Sequence, residues 1–195
     1  ELNHDSPFEL LIATILSAQC TDRRVNQVTA KIFPEYKTPE DFLTLSQEAL
    51  EDKIKTCGFF RSKAKNILAC CARLVSDYDG RVPETLEALQ GLAGVGRKTA
   101  NVVASNAFGV PAIAVDTHVF RLSNRIGIVR ETTVEKTELA LQRKIPRQRW
   151  TESHHLLIHH GRYICMARKP NCEACPIQAY CHYYRGLLPE EKRKK

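Results

Sequence analysis

Three groups of residues in this chain have the types and spacing to do chemistry. The first lies in GLAGVGRKTANVV, residues 91–103, which holds three glycines in its first six positions and then presents Arg97 and Lys98 at the start of a predicted helix. Glycine inside regular structure costs roughly 0.5–1 kcal/mol relative to alanine, so three so close together need a reason. A glycine hairpin between two helices turns backbone N–H groups outward at a helix N-terminus, where the amides and the helix dipole favour an anion such as phosphate. Gly94 and Gly96 also lack a Cβ that would hold a nucleic-acid backbone away, and contacts of that kind position DNA without reading its sequence. The glycines alone read more simply as a helix–helix connection that needs them for close packing. Lys98 adds weight to the other side. The positive end of the dipole and neighbouring Arg97 both disfavour its ammonium form and favour a nucleophilic amine, against the plain alternative of a solvated lysine.

The second group is Asp116 in AIAVDTHVFR, directly after an apolar stretch and before a predicted helix. An N-cap role is sufficient to explain it. A carboxylate at a domain boundary could also face Lys98 across a cleft. The third group is CMARKPNCEACPIQAYC, where Cys165, Cys172, Cys175 and Cys181 are spaced C-x6-C-x2-C-x5-C. Four thiolates gathered so closely can hold zinc or an iron–sulfur cluster. Zinc sites more often show two short pairs, and only one gap here is short. The other cysteines, Cys20, Cys57, Cys70 and Cys71, fall in predicted helical contexts and read as buried fillers or free thiols. The histidines of SHHLLIHHGRY include pairs near i,i+4 spacing, but no third zinc ligand accompanies them, and they are expected to cap, pack or face solvent.

The elements that must position these residues are helical almost throughout. SPFELLIATILSA opens with Ser6 as N-cap, Pro7 at the first helical position and Glu9 completing a capping box, and its near-continuous apolar run predicts a buried helix. Further helices are expected over TDRRVNQVTAKIF (capped by Thr21 or Asp22), from Pro39, over SQEALEDKIKTC (stopped by Gly58), over RSKAKNILACCARLVSDY, and from Pro83 through Leu89. RKTANVVASNAFG, DTHVFRLSNRIG, TVEKTELALQRKI and RWTESHHLLIHHGRYIC complete the set. No strand series or repeat is visible, so the class is all-α. Gly109 and Pro111 interrupt the pattern at GVPAIAV, which places a boundary between a domain over 1–111, carrying the glycine hairpin at about 86–107, and another over 112–195. The tail PEEKRKK is expected to be disordered.

The 195 residues carry 29 Lys and Arg against 22 Asp and Glu, a formal charge of +7. Residues 1–60 hold ten acidic and six basic groups, residues 111–195 eight acidic and sixteen basic. A basic half points to a polyanion partner, nucleic acid first, although charge can also serve solubility. No apolar run is long enough to span a bilayer and no signal peptide opens the chain. It begins at Glu1 rather than Met, which reads as a trimmed or processed start. Eight cysteines without a secretory signal, half of them in one short stretch, favour metal ligation in a reducing compartment.

Taken together, GLAGVGRKTANVV, AVDTHVFR and the cysteine run resemble the endonuclease III family of DNA glycosylases, and the likeness runs nearly end to end, including SPFELLIATILSAQCTD and HGRYICMARKPNC. The resemblance implies a two-domain helix-hairpin-helix DNA glycosylase fold, a helical barrel plus an iron–sulfur cluster domain. It implies a bifunctional glycosylase/AP lyase that removes oxidised pyrimidines of the thymine glycol type from damaged double-stranded DNA in base excision repair. By that likeness Lys98 attacks C1′ and expels the base, Asp116 helps activate it and stabilises positive charge developing on the sugar, and a Schiff base allows β-elimination. Gly94, Gly96 and Arg97 belong to the phosphate grip. Gln19, Phe59 and His118 stand at positions that enter the DNA when the target nucleotide leaves the stack, Phe59 as an apolar wedge. Gln19 reads equally as a polar helix-end residue and His118 as a first-turn residue. A 4Fe-4S cluster on Cys165, Cys172, Cys175 and Cys181 would do no chemistry and would hold a loop presenting Arg168 and Lys169 to phosphates.

Two departures stand out. Ala93 occupies a hairpin position where the family commonly has proline, so the turn is expected to be looser and binding weaker. The N-terminal helix that usually packs against the cluster domain is not seen before Glu1, which bears on stability and cluster retention. The resemblance further implies a monomer with no membrane role, in the bacterial cytoplasm on the nucleoid, or in a nucleus or mitochondrion if a missing N-terminus carried a signal. Monofunctional adenine and mismatch thymine glycosylases of the same scaffold usually lack a lysine at position 98, and the adenine enzymes carry a further domain for which nothing after Cys181 leaves room. A non-catalytic DNA-binding or redox-sensing module would need neither Lys98 nor Asp116.

Overall fold

The structure, a computed structural model, describes residues 2–187. The tail PEEKRKK lies outside the described residues. The chain divides into two compact units, one ending at Val110 and the other beginning at Pro111. Among the described residues every regular element is a helix and no strand occurs.

The first unit comprises α1 (Pro7–Ser17), α2 (Asp22–Ile32), α3 (Pro39–Leu43), α4 (Gln47–Ile54), α5 (Phe60–Tyr78), α6 (Leu86–Gln90) and α7 (Arg97–Phe108). The apolar run of α1 dictates its place: every residue from Phe8 to Leu16 is buried, with α2, α5 and α7 packed around it. Leu11, Ile12 and Leu16 are completely enclosed, each contributing about 1.5–3 kcal/mol by leaving water. Thr14, the polar intruder in this run, satisfies its hydroxyl by donating to the Leu10 carbonyl at 2.7 Å. On the other side α5 carries α3 and α4, through Ala64, Ile67, Cys70, Cys71 and Leu74 on its buried face.

The second unit holds α8 (Thr117–Ile126), α9 (Val134–Lys144), α10 (Trp150–Tyr163) and α11 (His182–Leu187), with single 3-10 turns at Arg147–Arg149 and Gln178–Tyr180. Helix α8 is its centre, packing against α9, α10 and α11. The core gathers Ile113, Val115, Val119, Leu122, Val129, Leu141 and Leu157. Ile113 and Val115 are fully enclosed there, so the extended stretch after Pro111 is core rather than a solvated linker.

The starts of the helices follow their capping residues. Ser6, Thr21, Thr38, Ser46, Thr85, Asp116 and Thr133 each accept a backbone N–H from the first turn of the helix that follows, interactions worth about 1 kcal/mol apiece. Four expectations need correction. The Glu9 carboxylate accepts the N–H of Asp5 at 2.6 Å, one residue beyond the Ser6 amide that a capping box would use. Helix α6 starts at Leu86 behind Thr85, not at Pro83, because a side-chain cap wins over a proline that has none to offer. Cys20 and Cys57 lie in the loops after α1 and α4, outside any helix. Helix α11 carries too little apolar periodicity to be foreseen.

Candidate nucleic-acid interface and cysteine centre

The glycine hairpin joins α6 to α7 and is anchored from beneath. Leu92 and Val95 are buried, the Val95 N–H donates to Leu92 O at 3.2 Å, and the Arg73 guanidinium donates to the Gly91 carbonyl. Its two central glycines differ in kind. Gly94 has φ +77°, and a Cβ there would stand 3.0 Å from Cβ of Asn66, so the fold itself demands glycine. Gly96 has φ −83°, and a Cβ there would meet nothing within 4 Å. Close packing therefore explains Gly94 and leaves Gly96 unexplained. Gly96 is also the N-cap of α7 and offers no side chain to the amides of the first turn. The result is a backbone N–H cluster bordered by open space, with Arg97 and Lys98 exposed beside it, the arrangement that accepts an anion.

Gln19 and Phe59 are brought together in the same unit. Both are exposed, Phe59 to 67% despite its apolar ring, and both adopt left-handed backbone, with φ of 52° and 57°. Such angles in non-glycine residues cost about 1–3 kcal/mol and persist only where the surroundings enforce them. Lys169, the exposed residue expected to meet phosphate beside Arg168, shares this geometry with φ 52°. The enforcing residue for Gln19 is one that sequence reasoning missed. Lys63 in α5 is only 6% exposed and donates its ammonium to Leu16 O at 2.8 Å and Ala18 O at 2.7 Å, fastening the end of α1 just before Gln19. Burial pushes the Lys63 ammonium down from its ordinary value, while the thiols of Cys57 and Cys20 pull it back up. The only signal in the sequence is a lysine on the otherwise small or apolar face Lys63–Ala64–Ile67.

In the second unit Asp116 is the N-cap of α8. Its Oδ1 accepts the N–H groups of His118 and Val119, both at 2.8 Å. Capping therefore occupies one carboxylate oxygen, and Oδ2 stays able to take a further hydrogen bond or proton. The cap also fixes the start of α8, which places His118; its Nδ1 lies 3.3 Å from the Arg121 guanidinium.

Cys165, Cys172, Cys175 and Cys181 line one small cavity, shared with Ile126, His160 and Ile164. All four are free thiols. Burial and the three other thiols push Cys172 up from its ordinary value against the pull of Arg125. Among the described residues no three His, Cys, Asp or Glu side chains converge closely enough for a single metal ion. Zinc would need its sulfurs about 2.3 Å from one point. Four thiols spread around one cavity instead suit a polynuclear iron–sulfur cluster, in which each thiolate holds its own iron.

Two arginines of α8, neither of them singled out by spacing, shape this loop. Arg125 donates to the carbonyls of Met166 and Ala167 at 2.9 Å, and Arg121 to those of Gly161 and Cys165 at 3.0 Å. Of the four histidines, His160 reaches the cavity, with Nε2 3.6 Å from the Cys175 sulfur; His154 is buried and His159 stacks on Tyr163.

Comparison with known proteins identifies the scaffold. Residues 12–147 match the family described as HhH-GPD superfamily base excision DNA repair protein. Residues 165–181 match the iron–sulfur binding domain of endonuclease III. The endonuclease III of Rickettsia conorii is 53% identical over 187 residues, covering 96% of this chain and 89% of that protein, and that of Escherichia coli K12 is 51% identical over 183 residues, covering 94% and 87%. The chain belongs to the endonuclease III family. A solved structure of a trapped endonuclease III–DNA covalent intermediate matches with a TM-score of 0.90 at 49% identity, covering 95% of this chain and 87% of that one. As a member of that family, the chain is a DNA N-glycosylase and AP lyase of base excision repair, binds DNA, and carries an iron–sulfur cluster. The monofunctional and non-catalytic alternatives are not favoured. No helix among the described residues is long and apolar enough to cross a membrane.

Proposed function

We propose that this chain, acting as a monomer in the bacterial cytoplasm, excises oxidised pyrimidines of the thymine glycol type from double-stranded DNA and nicks the strand through Lys98. The observation that carries the reading is an exposed lysine two residues past an uncapped helix N-terminus whose last glycine the fold does not require. The hairpin amides around Gly94 and Gly96, with Arg97, grip a phosphate beside the lesion. The target nucleotide leaves the stack, and Phe59, Gln19 and His118 fill the gap, Phe59 with an apolar ring already held out in solvent.

The Lys98 amine then attacks C1′. The C1′–N bond breaks and the base departs with the bonding electrons, while Oδ2 of Asp116 accepts the proton that Lys98 gives up and offsets positive charge on the sugar. Ring opening gives a Schiff base, loss of a C2′ proton drives β-elimination of the 3′ phosphate, and hydrolysis frees Lys98. Cys165, Cys172, Cys175 and Cys181 hold a 4Fe-4S cluster, which supplies a rigid cross-link rather than a reaction step. Arg121 and Arg125 brace the loop that carries Arg168 and Lys169 to the phosphate backbone.

Borohydride trapping on a duplex containing thymine glycol tests this directly. The intact protein is expected to form a covalent adduct that Lys98→Ala abolishes while DNA binding persists. An undiminished adduct from the variant would remove Lys98 from the nucleophile's place, and no adduct from intact, cluster-bearing protein would sink the lyase reading.

A further inference from the structure

The mechanism leaves one nucleophilic cluster unused. Cys20 follows Gln19 and Cys57 precedes Gly58, in two loops that meet: a Cβ on Gly58 would stand 3.3 Å from the Gln19 carbonyl. Burial, then the charge and hydrogen bond of Cys20, push Cys57 up to about 11, against the pull of Lys63 and Arg24. Lys63 closes the cluster: its ammonium holds Leu16 O and Ala18 O, and the charges of both thiols pull its value up against burial. Cys57 is enclosed, at 1% exposure, whereas Cys20 is partly open to solvent. Cys70 and Cys71 offer no such pair. They are consecutive residues of α5 sealed in the core, and burial alone pushes Cys70 up to about 12.

We propose that Cys20 and Cys57 are a redox-responsive pair that closes to a disulfide and thereby displaces the two loops that enter DNA. The effect on DNA rests on the assignment of Gln19 and Phe59 made above; the bridge itself does not. The oxidant is a hydroperoxide. The Cys20 thiolate attacks one peroxide oxygen, the O–O bond breaks, and a sulfenic acid forms as water leaves. Cys57 sulfur then attacks Cys20 sulfur, the S–S bond forms, the S–O bond breaks, and a second water carries away the oxygen. Two electrons pass from the thiols to the peroxide, and the two thiol protons end in water. An S–S bond of about 2.05 Å is far shorter than a contact between free thiols. The loops must therefore draw together where Gly58 and Gln19 already touch. Gln19 and Phe59 flank this point in left-handed backbone that the surroundings enforce, so the shift moves the inserting side chains.

The full-length, cluster-bearing protein is treated with a few equivalents of hydrogen peroxide while its visible absorption is followed. Free thiols are then alkylated and peptides mapped by mass spectrometry. The expected result is a peptide pair joined through residues 20 and 57, reversed by dithiothreitol and absent from Cys20→Ser and from Cys57→Ala. Affinity for a duplex holding a stable abasic analogue should fall about tenfold as the bridge forms. It should stay constant in Cys20→Ser under the same treatment. Free alkylated Cys20 and Cys57 under conditions that leave the cluster intact would overturn the pair. A bridge with unchanged affinity would overturn its effect on DNA, and borohydride trapping of the reduced protein reports separately on Lys98.

Discussion

Gly94 and Gly96 look alike in the sequence and should respond in opposite ways to one added methyl group. At Gly94, alanine must adopt φ near +77°, which costs roughly 1–2 kcal/mol. Its Cβ must also push Cβ of Asn66 back from 3.0 Å, while a stiffer unfolded chain returns about 0.4–1 kcal/mol. Gly94→Ala is thus expected to destabilise the protein by about 1–2 kcal/mol. At Gly96 the backbone suits alanine and the Cβ meets nothing within 4 Å. Glycine does outrank alanine as an N-cap by several tenths of a kcal/mol, but the same unfolded-state gain offsets that, so stability should change by less than about 0.5 kcal/mol. If the open space is where a phosphate sits on the α7 amides, the new methyl group excludes it and forfeits charge-assisted hydrogen bonds worth about 1.5–3 kcal/mol each. Affinity should then drop at least about tenfold. Urea unfolding of both variants, followed by fluorescence anisotropy on a duplex with a stable abasic analogue, separates the two effects. Wild-type binding by Gly96→Ala, or a loss of stability equal to that of Gly94→Ala, would refute the division of labour between the two glycines.

Other substitutions test the remaining parts. Asp116→Asn keeps a good N-cap and should leave stability within about 0.5 kcal/mol while slowing adduct formation, whereas Asp116→Ala should also lose about 1 kcal/mol in urea unfolding. Phe59→Gly releases left-handed strain at an exposed site, so it should hold or raise stability by up to about 1 kcal/mol and weaken abasic-site binding about tenfold. Lys63→Met removes two charge-assisted bonds to α1 carbonyls and should cost about 2–3 kcal/mol after the relief of a buried charge. Lys63 also predicts a pH dependence. Its folded-state value lies below the ordinary lysine value of 10.5, so between the two the unfolded chain binds more protons and stability rises with pH; Lys63→Met should lack that rise, and parallel profiles would show the burial penalty to be negligible.

Much of this molecule was legible in the sequence because its signals are local. An unbroken apolar run can only be a buried helix, and serine, threonine and aspartate mark helix starts wherever their side chains reach back to an amide. The spacing of the four clustered cysteines marked a metal centre for the same reason. What escaped was whatever depends on residues distant in the chain. Lys63 looked like any helical lysine, and only its approach to carbonyls 45 and 47 residues away makes it a clamp. Arg121 and Arg125 gave no sign that they would hold the backbone of residues 161–167, some 40 positions on. Cys20 and Cys57 read as buried fillers or free thiols in helices, and only the helices are wrong, because periodicity cannot show two loop ends meeting.

Asp116 shows how a local reading can serve two roles at once. Its capping role and its proposed catalytic role look like rivals, yet Oδ1 takes both α8 amides and leaves Oδ2 for the proposed chemistry. A carboxylate so tethered is held in orientation by the helix it starts, so the stabilising role supplies the rigidity that the catalytic one needs. The residues proposed to enter DNA follow the opposite logic: Gln19 and Phe59 sit in strained, exposed loops that α1, Lys63 and the core must hold in place. Stability is thus generated in the buried helices and expended at these exposed loops. Among the described residues, three of the four non-glycine residues with left-handed backbone, Gln19, Phe59 and Lys169, stand at positions assigned to DNA, and the fourth, Asp79, merely ends a helix. Backbone strain alone, with no comparison to any relative, would have drawn attention to the same residues.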